Sequence, residues 1–377
     1  MQILKSLLMA LGGASLLATS AFADDTIKIG VIQPLTGSVA YNGTTDVNGA
    51  KLAADEINAK GGVLGKKIEL VVEDGQCKPA NSVNAAEKLI QRDKVVAIMG
   101  AFCSSATLAV MPVAQNYKIP LVTAVSSAAT LTEKGNPWFF RATETDALLA
   151  KAFAKILYND LKLRTVAYIG VNDDFGRGGV AEFEKQMDAL GAKTVMKEYF
   201  EHGTSDFYTL LTKLKASGAD GVFVAAETQD GSILVKQKAE LGISTKMFGV
   251  GSWATADFIK LAGSAGEGIY AAVPYASTMA TPKNKTFVAD YENRYHEAPG
   301  KYSAAGYNGI NIIAQAIERA KSTDADNIRQ ALEKTDYEGP NGHFQFDEKG
   351  QATGFNVVLV QLTNGVPKVV EMTTVER

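Results

Sequence analysis

The feature that most constrains this chain is a rhythm of short, β-branched runs alternating with longer stretches of helical period. "IKIGVIQP" leads into a helical pattern around Asp46 to Ala59, "IELVVEDG" into one around Pro79 to Gln91, and "VVAIMGAF" into one from about Ser104, before "IPLVTA". The rhythm resumes at "TVAYIGVN", with helices expected over Gly176 to Leu190, Asp206 to Ala216 and Asp230 to Leu241 between "KTVMKEYF", "DGVFVAAE" and "KMFGVG". Such alternation predicts an α/β fold of parallel sheets flanked by helices. The two halves repeat one helix, strand, helix, strand layout, and 377 residues exceed an ordinary single domain, so two similar lobes are expected. Open α/β sheets bind ligands beyond the carboxyl ends of their strands, which places the candidate site in the cleft between lobes.

After "IYAAVPYA" the pattern changes to helices over roughly Thr281 to His296, Ser303 to Lys321 and Asp324 to Lys334, then to short strands "GHFQF", "FNVVLVQL" and "PKVVEM". No low-complexity tether separates the halves, so short crossings are expected to join the lobes. The N-terminus has Lys5, an apolar run from Leu7 to Leu17, and Ala21-Phe22-Ala23 before two aspartates, the layout of a secretory signal over residues 1–23 cleaved after Ala23. That run is too short to span a membrane, which needs about 20 residues. The expectation is a soluble protein exported to the periplasm. A net charge of −3 with scattered Lys and Arg offers no basic patch for nucleic acid. In an oxidising compartment, the two cysteines read as one disulfide, Cys77 with Cys103, or else as two separate buried thiols.

Enzymatic signals are weak. His202, His296 and His343 lack metal-ligand spacing, "GGVLGKK" is not a phosphate loop, and "FGRGG" is an incomplete dinucleotide fingerprint. Nothing points to a catalytic residue, a metal or a cofactor. Two strand ends instead turn directly into expected helix starts: Cys103, Ser104, Ser105 and Thr107 after one, and Val125, Ser126, Ser127 and Thr130 after the other. Each serine can be a helix cap. As a pair, the two expected helix starts would also form a carboxylate site of amides and hydroxyls that needs no Arg or Lys. Across the cleft, Glu227 follows the buried-looking run "VFVAA", where a carboxylate needs a partner, and Glu144, Asp146 and Asp230 add further acid. An anion-binding lobe facing a cation-binding lobe suits a zwitterion. Tyr41, Phe102, Phe175, Trp253, Tyr275 and Tyr302 are core packing or walls of a partly apolar side-chain pocket.

"IKIGVIQPLTGSVAYNGTTDVNGAKLAADEINAKGGVLGKKIELVVEDGQCKP", "GAFCSSAT", "PLVTAVSSAATLT" and "NDDFGRG" resemble the periplasmic branched-chain (Leu/Ile/Val-type) amino-acid-binding proteins of ABC transporters. That resemblance implies a non-enzymatic, type I periplasmic-binding-protein fold with three inter-lobe crossings, near Glu144 to Asp146, Val273 to Tyr275 and Asp347 to Gly350. The lobes would be 24–145 plus 275–348 and 146–274 plus 349–377, delivering a small ligand to a membrane permease. It implies that Ser104 and Ser127 hold the ligand carboxylate, that the carbonyl of Val125 receives its ammonium, and that Phe102, Phe175, Tyr302 and Tyr41 border the side chain. This chain departs from the pattern: Asn42 stands where leucine-binding relatives have Tyr, Gly251 where they have the acidic ammonium ligand, and Glu227 where they have an aromatic. Either Glu227 has taken over the ammonium or the ligand has none, as for the aromatic carboxylates that some of the family bind. A ligand sensor for a membrane receptor would use the same binding chemistry.

Overall fold

The computed structural model describes residues 26–133 and 135–376; the expected export signal, Met1 to Ala23, lies outside them. In chain order the first half forms β1 (Thr26–Gln33), α1 (Ala40–Ala59), β2 (Lys67–Asp74), α2 (Pro79–Gln91), β3 (Ala97–Met99), α3 (Ser104–Tyr117), β4 (Leu121–Thr123), α4 (Thr130–Glu133) and β5 (Phe139–Arg141). Then come α5 (Asp146–Asn159), β6 (Thr165–Val171), α6 (Asp174–Ala189), β7 (Lys193–Phe200), α7 (Tyr208–Ser217), β8 (Gly221–Ala226), α8 (Thr228–Glu240), β9 (Lys246–Gly251), α9 (Ala256–Ala262) and β10 (Tyr270–Val273). The remainder is α10 (Pro282–Tyr295), α11 (Lys301–Ala320), α12 (Ala325–Leu332), β11 (Tyr337–Gly339), β12 (Gly342–Phe346), β13 (Ala352–Thr363) and β14 (Val366–Thr374).

One sheet runs β2-β1-β3-β4-β5 and is parallel throughout. The other runs β11-β12-β13-β10-β9-β8-β6-β7, with β14 beside β13; β6 to β10 are parallel, and β11 to β14 add antiparallel pairs. The expected type I periplasmic-binding-protein architecture is therefore the one observed. Central strands are apolar on both faces because helices cover both: every residue of β8 is buried. The leading residues of β13 pair with β12 and its later ones with β10, so this strand joins β12 to the rest of the second sheet.

After β10 the chain returns to the first sheet, where α11 lies along α1 and against β3 and β4. Two glycines permit that approach. A Cβ on Gly49 would lie 1.9 Å from the Ser303 carbonyl oxygen, and one on Gly306 would lie 2.0 Å from that of Asp46. α1 starts at Ala40, ahead of the expected Asp46; Gly43 in its first turn passes under the Pro34 carbonyl, 2.0 Å from where a Cβ would be. In the second lobe, Gly231 and Gly249 make room for the fully buried Trp253, whose indole would meet their Cβ atoms at 2.9 and 2.5 Å.

Gly306→Ala forces a methyl into backbone. It is expected to lower stability by about 1–3 kcal/mol, read as a reduced urea midpoint with an unchanged slope. An unaltered midpoint would mean that α1 and α11 part without cost.

Candidate functional site

The first wall of the site is built where β3 and β4 end. Phe102, at φ 69°, turns the chain into α3 and lays its buried ring on Tyr302, with centroids 4.9 Å apart. Cys103 precedes the helix and is disulfide-bonded to Cys77, Cα to Cα 5.4 Å, closing a separation of 26 residues. Cys103 offers no side-chain cap to the helix. The Ser104 hydroxyl accepts from the Ala128 amide at 3.2 Å, which ties α3 to the loop after β4.

That loop departs from the expected second helix start: residues 124–129 are irregular, and α4 is a single turn. The cause is visible in Ser126. Its hydroxyl donates to the Phe102 carbonyl at 2.7 Å and meets Thr107 Oγ1 at 2.7 Å and Thr123 Oγ1 at 3.0 Å, so it braces the two strand ends instead of capping a helix. Arg141, fully buried, supplies the remaining donors. It gives Nη1 to the carbonyls of Ala128 (2.6 Å) and Ser126 (3.4 Å) and Nε to Gln351 at 2.6 Å, and it hydrogen-bonds Thr132. A buried guanidinium is tolerated only with its fork so occupied. Ser127 is thus presented by backbone held from both sides. Beside it, burial pushes Asp146 up to about 7, with Ser127 and Arg141 opposing the rise.

The second wall starts at the end of β8. The Trp253 indole donates to the Ala226 carbonyl at 2.8 Å, fixing the backbone just before Glu227. Glu227 Oε2 accepts from Tyr302 at 2.5 Å and from Asn42 at 3.2 Å, and Thr228 donates to Asn42 at 2.9 Å. Asn42 and Tyr302 belong to α1 and α11, so these bonds bridge the lobes. Glu227 Oε1 has no hydrogen-bond partner among the described residues; a Cβ on Gly251 would lie 3.7 Å from it and 3.2 Å from the Phe175 ring. Burial raises the Glu227 pKa, and Lys301 opposes that rise. Alongside, His202 Nε2 meets Asp173 at 3.0 Å and Nδ1 lies 3.7 Å from Asp230.

Phe102, Ser104, Val125, Ser127, Phe175 and Glu227 face one small cavity, with about 20 Å³ open to a water centre. Tyr302 stands behind Glu227, in hydrogen-bond contact. Tyr41 is elsewhere: it is 39% exposed, donates to Glu297 at 3.1 Å, and borders an outer pocket of about 380 Å³ on the far side of Asn42 and Thr228. Sequence reasoning missed Lys301, Asp173 and His202 in the wall. Asp173 carried a signal as the acidic residue before a helix, and it does cap α6 at Gly176 N, 2.9 Å. Lys301 carried none, because α11 comes from far along the chain. Among the described residues no group of three or more His, Cys, Asp or Glu could hold a metal ion, and no helix is long and apolar enough to cross a membrane.

Comparison with known proteins bears on this geometry. The family model Periplasmic binding protein matches residues 26–366. A leucine-, isoleucine-, valine-, threonine- and alanine-binding protein of Pseudomonas aeruginosa is 29% identical over 353 residues, 94% of this chain and 93% of that protein. The branched-chain amino acid transporter substrate-binding protein LivJ of Streptococcus pneumoniae, solved with isoleucine, superposes with a TM-score of 0.86 at 29% identity, covering 93% of this chain and 100% of that one. A solute-binding protein of an ABC transporter from Rhodopseudomonas palustris, solved with 3,4-dihydroxybenzoic acid, gives 0.86 at 27% identity over 94% and 98%.

The His202 cluster generates a pH dependence. Its hydrogen bond to Asp173 and the nearby Asp230 carboxylate raise its pKa from 6.5 to about 10. Its stabilising contribution is therefore complete below pH 6.5 and is lost as the pH rises through about 10. Urea midpoints should fall across that window in the wild type and fall less in His202→Gln; parallel profiles would show that the imidazolium is not held in the folded state.

Proposed function

The chain belongs to the periplasmic binding protein family, and from that premise we propose that it is the extracytoplasmic substrate-binding component of an ABC importer, closing on an amino acid with an apolar side chain. The division into lobes 24–145 plus 275–348 and 146–274 plus 349–377, with export by cleavage after Ala23, is part of the same reading. So are the absence of catalysis and the delivery of ligand to permease subunits.

One observation carries it: a single cavity has hydroxyls and amides on one wall and an open carboxylate oxygen, Glu227 Oε1, on the other. The ligand carboxylate takes the hydroxyls of Ser104 and Ser127 and the first amides of α3, where the helix dipole favours an anion. The ammonium takes Glu227 Oε1 and the Val125 carbonyl. Phe102 and Phe175 supply apolar surface at the cavity. Within each wall the groups are held by their own neighbours before the ligand arrives, so little of the binding energy is lost to ordering the wall itself.

Passage of the ligand requires movement. A space of about 20 Å³ for water centres holds roughly one water. An amino acid enters only when the lobes part, which breaks the bonds from Asn42 and Tyr302 to Glu227 and from Thr228 to Asn42. Closure re-forms them around the ligand, and the closed shape is what a permease can distinguish.

The competing reading is a simple carboxylate, as in the relative solved with 3,4-dihydroxybenzoic acid. It leaves Glu227 Oε1 facing an uncharged group. Thermal unfolding of the mature protein with L-leucine, L-valine and L-phenylalanine, beside their deaminated acids and benzoate, separates the two. An amino acid at a hundred times its dissociation constant should add about 2.7 kcal/mol, and its deaminated partner far less. Glu227→Gln should weaken amino-acid binding by about 1.5–3 kcal/mol. Stabilisation by the deaminated acids, undiminished in that variant, would remove the ammonium contact. Unchanged uptake in a deletion strain would remove the importer role.

A further inference from the structure

Lys301 occupies a costly place for a lysine. It is 6% exposed and is the first residue of α11, where the helix dipole disfavours a cation. Its Nζ lies 3.8 Å from Glu144 Oε1 and 5.2 Å from the centroid of the Tyr302 ring, and it makes no hydrogen bond among the described residues. A buried ammonium carries three donors and is costly to leave unmatched. Glu144 balances the charge from beyond hydrogen-bond distance, and already accepts from Thr143. A purely structural ion pair would be expected to close to hydrogen-bond distance.

Lys301 lines the cavity that also receives Ser104, Ser127 and Glu227, a space small enough that groups on its walls address the same occupant. Glu227 is already engaged at Oε2 by Tyr302 and Asn42. The charged cavity groups without a hydrogen-bond partner among the described residues are therefore one carboxylate oxygen, Glu227 Oε1, and one ammonium, that of Lys301. They answer the two charges of a zwitterion.

We propose that Lys301 is a specificity-determining ligand residue, donating to the ligand's carboxylate beside Ser104 and Ser127 so that the site selects carboxylic acids over their amides. This rests on the reading of the ligand as a carboxylate and deepens it. The anion site is cationic on its α11 side, against the expectation from sequence that hydroxyls and amides suffice. Glu144 then orients the ammonium in the absence of ligand and keeps the pair neutral.

The test is titration calorimetry on the mature protein with two matched pairs, L-leucine with L-leucinamide and benzoate with benzamide, for wild type, Lys301→Gln and Lys301→Arg. Wild type should prefer the acid of at least one pair by more than tenfold. Lys301→Gln should weaken that acid roughly 10- to 150-fold while leaving its amide within about twofold, and Lys301→Arg should restore most of the preference. Equal loss for acid and amide, or no loss, overturns the proposal in favour of a structural tie to Glu144. Should Lys301→Gln fail to fold, Lys301→Met takes its place with the same expected loss for the acid alone, and equal binding of acid and amide by the wild type contradicts a cationic contact in any case. Binding of benzoate without L-leucine would overturn the amino-acid reading while leaving Lys301 testable on the benzoate pair; binding of neither acid removes both.

Discussion

Glu227 is a carboxylate sealed between two lobes, and its bonds are the interaction on which the closed cleft depends. Burial disfavours its charge, and Lys301 in the same cavity opposes that effect. Asn42 and Tyr302, from two helices of the opposite lobe, occupy one of its oxygens. The protein thus closes around a group that is only half satisfied. On the proposed reading the other half is available to a ligand cation, and the same carboxylate then couples binding to closure.

The facing wall owes its rigidity to groups that need never touch a ligand. Ser126 spends its hydroxyl on the Phe102 carbonyl and on two threonines, Arg141 holds the carbonyls around Ser127, and the Cys77–Cys103 disulfide anchors the start of α3. Arg141 also holds Gln351, and its amide donates to the Gly350 carbonyl at 2.7 Å. The loop that presents Ser127 is therefore tied to Gly350 and Gln351, just before β13. One buried guanidinium holds the Ser127 loop and the chain leading into β13 together.

Much of this was legible in the sequence, and the rest fails for definite reasons. Periodicity located α2 at its observed bounds, Pro79 to Gln91, because the helix has an apolar stripe and a proline at its start. It missed the first turn of α1, where Asn42 and Tyr41 follow no stripe and only Gly43's contact with Pro34 dictates the path. Ser104 and Ser127 could be read from strand ends, and Glu227 from the apolar run before it. The reading of Ser126 and Ser127 as a second helix start failed because a serine's competing partners, here two threonines and a carbonyl, come from other segments. Lys301 was invisible for the same reason: "PGKYS" has nothing local to mark it, and its role arises only when α11 folds back on the first lobe.

Glu227 itself offers the most direct measurement. Carbon-13 NMR of its labelled side-chain carboxyl, assigned with Glu227→Gln, gives its titration midpoint with and without saturating L-leucine. An ammonium at Oε1 stabilises the charged form, so the midpoint must fall when the ligand binds. A midpoint that stays the same or rises while L-leucine is bound would mean that the carboxylate closes the lobes and takes no part in holding the ligand.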